Sequence, residues 1–175
     1  MTEYNMKIQG SSGDISSVND FMIDVNNFAE THELIIQLLD ADMIFGREHI
    51  ISAFEHAQRS IHRDEASTHS IQMELLLYAS GERQIKHAIK KMGVKKGKTA
   101  FVAIFLFTDE KKQSIENIIS MFNQKFQIEV NESAILPIES KLFDYGISKQ
   151  AIESVRDDQK FQLVLEKIAL VDIIK

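Results

Sequence analysis

The chain of 175 residues contains no cysteine and a single proline. Without cysteine it can form no disulfide and no thiolate metal site, and it has no thiol nucleophile. It also lacks an apolar run of about 18 residues, so the sequence predicts neither a membrane span nor a membrane partner. The first residues do not follow the basic-then-apolar order of a secretory signal. A cytoplasmic location is therefore expected.

The sequence contains none of the compact residue patterns that mark common enzymes. Its six histidines form no H-E-x-x-H pair, and there is no Walker loop and no G-x-S-x-G turn. His49 and His56 lie seven residues apart, and we interpret them as ordinary surface or boundary histidines. Asp40 and Asp42 follow a predicted strand, where turn or capping roles are expected. We therefore predict a protein without catalysis, cofactor or metal.

Positive charge is concentrated in one segment of an acidic chain. The formal net charge is −6, yet 7 of the 20 basic residues and none of the acidic ones lie between Arg83 and Lys98. These seven are Arg83, Lys86, Lys90, Lys91, Lys95, Lys96 and Lys98. A compact positive patch on an acidic body indicates a local binding surface and not a wholesale nucleic-acid binder.

Hydrophobic periodicity predicts one α/β domain over residues 1–175. Its small sheet, mixed or largely antiparallel, is expected to have about four strands flanked by helices. The expected strands are residues 4–9, 34–40, 72–78 and 100–107. The first should stop at the turn cluster Gly10-Ser11-Ser12-Gly13. The continuously apolar run from Phe101 to Phe107 should be a central strand that is covered on both faces.

Helices are predicted where apolar residues recur at one-face spacing. This pattern predicts helices over residues 47–61 and 82–92 and a third that carries Ile115 to Phe122. Gly93 is expected to close the second of these in a left-handed conformation. Residues 126–130 alternate like a strand with one exposed face. The last segment, 158–174, is apolar over more than half of a helical circumference, so it is either clasped in its own core or meets a partner.

The sequence Ser80-Gly81-Glu82-Arg83-Gln84 is expected to join the strand 72–78 to a helix N-terminus. Unpaired N–H groups and the helix dipole favour an anion at such a position. Alternatively, Ser80 is only a helix cap and the lysine row is a solvated face. The density of cations favours a polyanion site, because phosphates are contacted mostly by Arg and Lys.

The same stretch, from Met73-Glu74-Leu75-Leu76-Leu77-Tyr78 through Ser80-Gly81-Glu82-Arg83-Gln84-Ile85 to Gly93, resembles the signature of archaeal TPRKB-like subunits of the KEOPS complex. The resemblance continues in Ala41-Asp42-Met43 and in the segment 165–171, and it covers about residues 34–174. It implies a non-catalytic adaptor of the complex that installs threonylcarbamoyl groups on tRNA. The adaptor docks on a small atypical kinase that acts as an ATPase, and meets the rest of the complex indirectly. Archaeal members also help to hold tRNA through its 3′ CCA tail.

The residues expected to serve these roles follow from the charge and apolar patterns of the chain together with the resemblance. For tRNA they are Ser80, Gly81, Arg83, Gln84, Lys86, His87, Lys90 and Lys91. For the kinase they are Leu163, Leu170 and Ile174, with help from the helix at 47–61. Two alternatives stay open: a small nucleotide-binding enzyme or module that uses Ser80-Gly81 as a phosphate cradle, and a structural subunit without RNA contact.

Overall fold

The computed structural model describes residues 3–68 and 70–174, except the side chain of Ile174. The strands are β1 (Asn5–Ile15), β2 (Ile35–Asp40), β3 (Gly97–Phe107) and β4 (Glu129–Val130). The helices are α1 (Val18–Thr31), α2 (Arg47–His62), α3 (Ile71–Ser80), α4 (Ile85–Met92), α5 (Ile115–Phe126), α6 (Leu142–Tyr145), α7 (Lys149–Ser154) and α8 (Gln162–Ile174).

Backbone contacts group the chain into two compact units. The first comprises Met1–Ala41 and Val94–Ala134, and the second comprises Asp42–Gly93 and Ile135–Lys175. The sheet with α1 and α5 therefore belongs to the first unit, and the other six helices belong to the second. The assignment of residues 1–175 to one functional domain stays a prediction.

The first unit is built on an antiparallel sheet with strand order β2-β3-β1-β4. β1 pairs with β3 along its whole length, from Asn5 opposite Phe107 to Ile15 opposite Gly97. β2 pairs with the other edge of β3. This architecture confirms the predicted α/β class with a four-stranded, largely antiparallel sheet. It also confirms that the apolar run in β3 is a central strand, since every residue from 101 to 107 is buried.

Aromatic side chains fill the core between this sheet and the helices α1 and α5. The ring of Phe122 in α5 lies 5.2 Å from Phe105 and 5.5 Å from Phe28, both at edge-to-face angles. Such pairs stabilise a core beyond the area they bury. The predicted apolar face of α5 is confirmed by its buried residues, which are Ile115, Ile118, Ile119 and Phe122.

The first strand is longer than predicted, because the Gly-Ser cluster does not form a turn. β1 runs through residues 10–13 and ends at Ile15. A Cβ at Gly10 would lie 2.2 Å from the Asn131 carbonyl oxygen, so glycine here permits a close backbone approach. The strand predicted over 126–130 is reduced to Glu129–Val130, because α5 continues to Phe126.

The strand predicted over residues 72–78 is wrong, because this segment is the helix α3. It is buried almost all round, so its sequence shows no apolar stripe to distinguish a helix from a buried strand. Its ends carry helix signals. The Ser70 side chain accepts a hydrogen bond from the Met73 N–H, and Gly81 ends the helix in the left-handed conformation at φ 65°.

Helices α2, α3, α4 and α8 pack together in the second unit. The predicted helix at 47–61 is confirmed as α2, and its expected apolar residues Ile50, Ala53, Phe54 and Ala57 are buried. The helix predicted over 82–92 begins later, at Ile85. Gly93 is not left-handed but extended, with φ −68°. A Cβ there would lie 2.6 Å from the Ile89 carbonyl oxygen, so a close approach explains this glycine.

Candidate partner-binding surfaces

The Ser80-Gly81 turn joins two helices, and this corrects the predicted strand-to-helix junction. Ser80 is the last residue of α3 and is fully buried. Its hydroxyl donates to the Leu77 carbonyl oxygen at 2.9 Å and accepts from the Glu82 N–H at 3.2 Å. The Gly81 N–H donates to the Tyr78 carbonyl oxygen at 3.0 Å. These N–H groups serve the end of α3, so the structure removes the basis for a phosphate cradle here.

Lys91 is also used inside the fold. Its ammonium donates to the Ser80 carbonyl oxygen at 2.5 Å and forms a 3.3 Å ion pair with Glu82. It lies over the aromatic ring of Tyr145. Burial, with the nearby charge of Lys167, lowers the pKa of Lys91 to about 8. The side chain ties α4 to the preceding turn and is poorly placed to follow a polyanion.

The other residues predicted to bind tRNA form an exposed surface, which we call the α4 basic face. It consists of Arg83, Gln84, Lys86, His87 and Lys90, all exposed. Lys86 and Lys90 lie four residues apart on the helix and therefore share one side of it. Ile89 borders this face and is 51% exposed. The α4 basic face thus combines exposed cations with one accessible apolar side chain.

Helix α8 is both a core element and a source of exposed apolar surface. Val164, Ile168 and Val171 are completely buried. On other sides of the helix, Leu170 is 52% exposed and Ile173 is 77% exposed. One side of the segment is therefore clasped in its own core, and contact of the exposed side with a partner stays a prediction.

The three residues predicted for the kinase have different environments. Leu163 is half-buried, Leu170 is exposed, and the side chain of Ile174 lies outside the described residues. Ile173 was not among the predicted contacts, although it is the most exposed large apolar residue identified in the second unit. We define the α8 apolar face as Leu163, Leu170 and Ile173.

His49 is not a surface histidine, which corrects its sequence-based interpretation. It is fully buried on α2, where its Nδ1 accepts from the Phe45 N–H at 3.2 Å. Its Nε2 lies 2.8 Å from the Ala79 carbonyl oxygen and must donate to it, so the ring is neutral with the proton on Nε2. Burial lowers the pKa of His49 to about 4. Its position within the apolar stripe of α2 was the available sequence signal.

His56 lies about two turns further along α2, in a polar cluster that the sequence did not indicate. Its Nδ1 is 2.8 Å from Asp172 Oδ2, and the Tyr78 hydroxyl donates to Asp172 Oδ1. The cluster joins α2, α3 and α8. Nothing in the sequence relates these positions, which are up to 116 residues apart.

Among the residues the structure describes, no three His, Asp or Glu side chains are grouped to hold a metal ion. No helix within the same residues is long and apolar enough to cross a membrane.

Comparison with known proteins gives a family match over most of the chain. The model of the family described as "Kinase binding protein CGI-121" matches residues 18–172. The "Regulatory protein Cgi121" of Methanocaldococcus jannaschii is 29% identical over 153 residues, which cover 86% of this chain and 92% of the relative. Both descriptions name a binding or regulatory role, which favours a non-enzymatic protein. The two matches also confirm the resemblance to TPRKB-like proteins. The chain belongs to the CGI-121 family of kinase-binding proteins.

Proposed function

We propose that this chain is a non-catalytic, cytoplasmic subunit of a KEOPS-type tRNA-modifying complex that binds the small atypical kinase through α8. The observation that carries the proposal is the α8 apolar face on a member of a kinase-binding family. Leu170 and Ile173 lie on a helix whose opposite side is anchored in the core by Val164, Ile168 and Val171. An apolar surface on a well-anchored helix suits docking into a groove of a partner.

The kinase interface is tested by charge substitution at matched sites. Leu170→Glu and Ile173→Glu should each weaken binding to the purified kinase about 30-fold, the effect of losing ~2 kcal/mol at a buried anchor. Ile23→Glu is the control, because Ile23 is 52% exposed on α1, as Leu170 is on α8. Binding is measured by titration calorimetry, with circular dichroism to verify folding. Wild-type affinity in both folded α8 variants would contradict docking through this face.

We further propose that the α4 basic face recruits tRNA through its 3′ CCA tail. Arg83, Lys86 and Lys90 are exposed and can contact phosphates, and Gln84 offers both donor and acceptor to a base edge. Ile89 supplies apolar surface beside them. Ser80 and Lys91 support the shape of this region through their internal bonds, and Gly81 allows its turn.

The RNA proposal is tested by salt-dependent tRNA binding. Replacement of Arg83, Lys86 and Lys90 by Ala should weaken binding and reduce the salt slope by roughly two, since each lost phosphate contact on a single strand contributes about 0.7. The matched control replaces Lys7, Lys112 and Lys149, three half or more exposed lysines in surface ion pairs. It removes the same charge elsewhere. Equal affinities of the two triple variants for intact tRNA would favour nonspecific attraction. With tRNA that lacks its CCA tail, the difference in affinity between the two triple variants should disappear.

A further inference from the structure

The partner-facing end of α8 carries a carboxylate where helix electrostatics disfavour one. Asp172 lies in the last turn of α8, and no basic residue accompanies it in that turn. The C-terminal end of a helix has a partial negative charge, so a carboxylate there is destabilising unless other groups compensate it. Two side chains from other helices provide that compensation.

The carboxylate is held from two directions. Tyr78 of α3 donates its hydroxyl to Asp172 Oδ1, and His56 of α2 lies 2.8 Å from Oδ2 through Nδ1. Tyr78 is completely buried, and the His56 side chain is 15% exposed. The His56 ring also packs over the Tyr78 ring, with centroids 5.4 Å apart. Three helices therefore meet at one aspartate.

This cluster lies directly beside the α8 apolar face. Asp172 is adjacent in sequence to Ile173 and two residues from Leu170, the most exposed apolar residues of the helix. Helix ends fray unless their last turn is fixed. Fixing the turn before binding lowers the ordering cost that a partner would otherwise have to offset.

We propose that Asp172, held by Tyr78 and His56, is a positioning residue that orders the last turn of α8 for kinase docking. The inference rests on the proposed kinase binding. The Tyr78 hydroxyl donates to a carboxylate, and a hydrogen bond to a charged acceptor is the stronger kind.

The test compares two buried tyrosines of the second unit. Tyr78→Phe deletes the hydroxyl that holds Asp172, and Tyr145→Phe deletes one that donates to the Ala79 carbonyl oxygen at 2.7 Å. Tyr78→Phe should weaken kinase binding about fivefold, the worth of one hydrogen bond, and Tyr145→Phe should change it less than twofold. Equal losses in the two variants would overturn the proposal, since general destabilisation would explain both.

The second measurement is rescue by the conservative variant. Asp172→Asn keeps a side-chain oxygen that can accept from the Tyr78 hydroxyl, so it should keep more kinase affinity than Asp172→Ala. Equal affinities for folded Asp172→Asn and Asp172→Ala, or wild-type affinity in Tyr78→Phe, would overturn the positioning role. These failures are distinct from failure of the proposed function, which is recognised by the absence of kinase binding in the wild type.

Discussion

The Lys91 ammonium lies 3.9 Å from the centroid of the buried Tyr145 ring. Its positive charge meets the negative face of the ring and is paired with Glu82. These contacts stabilise the charge, but burial is the larger influence on Lys91 and holds its pKa at about 8. A lysine of this kind makes stability depend on pH in a range where few other groups titrate.

The first prediction concerns that range. Between about pH 8 and the ordinary lysine pKa, the unfolded chain holds a proton at Lys91 that the folded chain has lost. The free energy of unfolding should therefore rise with pH in this interval, relative to a Lys91→Met variant. Urea unfolding of both proteins from pH 7 to 10 measures the difference. A constant difference across that interval would show that Lys91 is not desolvated as described.

His49 predicts a second pH effect on the acid side. The folded ring is neutral to about pH 4, whereas the unfolded ring takes up a proton near pH 6.5. Stability contributed by the neutral ring is thus lost as pH falls from about 6.5 to 4, by on the order of 3 kcal/mol. Urea unfolding at pH 7 and pH 4.5 should show this loss in the wild type. A His49→Gln variant, less stable at pH 7, should show a smaller loss, and an equal loss would contradict the prediction.

The third prediction separates two reasons for glycine at position 81. Gly81 has φ 65°, and a Cβ there would lie 3.0 Å from Lys167 Cγ. Gly81→Ala should lower the free energy of unfolding by about 1–2 kcal/mol through backbone strain, with a smaller part from this contact.

Repeating Gly81→Ala in a Lys167→Ala background isolates the contact. The cost in that background should fall to about 1–2 kcal/mol, because only the backbone strain remains. If Lys167→Ala leaves the cost of Gly81→Ala unchanged, the lysine side chain moves aside freely and backbone strain accounts for the whole effect.

Sequence reasoning succeeded where one face of an element is apolar and the other polar. Helix α2 and helix α5 have this pattern, and their predicted apolar faces are buried. The central strand β3 was also predictable, because it is continuously apolar and rich in residues that favour strands. The same reasoning failed for α3, where burial on all sides removes the periodicity. The run Leu75-Leu76-Leu77 favours helix over strand by propensity, and Ser70 and Gly81 are its end signals.

The candidate binding surfaces were predictable only in part, because the environments of some of their residues depend on tertiary contacts. Arg83, Lys86 and Lys90 are exposed as their charge indicates. Lys91 differs from them through its contacts with Ser80, Glu82 and the distant Tyr145. Asp172 depends on His56 and Tyr78. Contacts between residues so far apart in sequence follow from tertiary packing, which local patterns do not encode.

The last prediction compares two glycines of one strand. At Gly10 the missing side chain admits the Asn131 backbone, whose N–H donates to the Gly10 carbonyl oxygen at 2.8 Å. A methyl group at 2.2 Å from the Asn131 carbonyl oxygen must displace this segment, so Gly10→Ala should cost about 3 kcal/mol or more.

At Gly13, a Cβ would make ordinary contacts of 3.7 Å with Phe101 and 3.9 Å with Ile128. Gly13→Ala should therefore be neutral or stabilise the fold by about 0.5 kcal/mol, because alanine loses less backbone entropy on folding. Urea unfolding at pH 7 measures both. Equal stabilities for the two variants would show that the Asn131 segment yields without cost and that β1 does not require glycine at position 10.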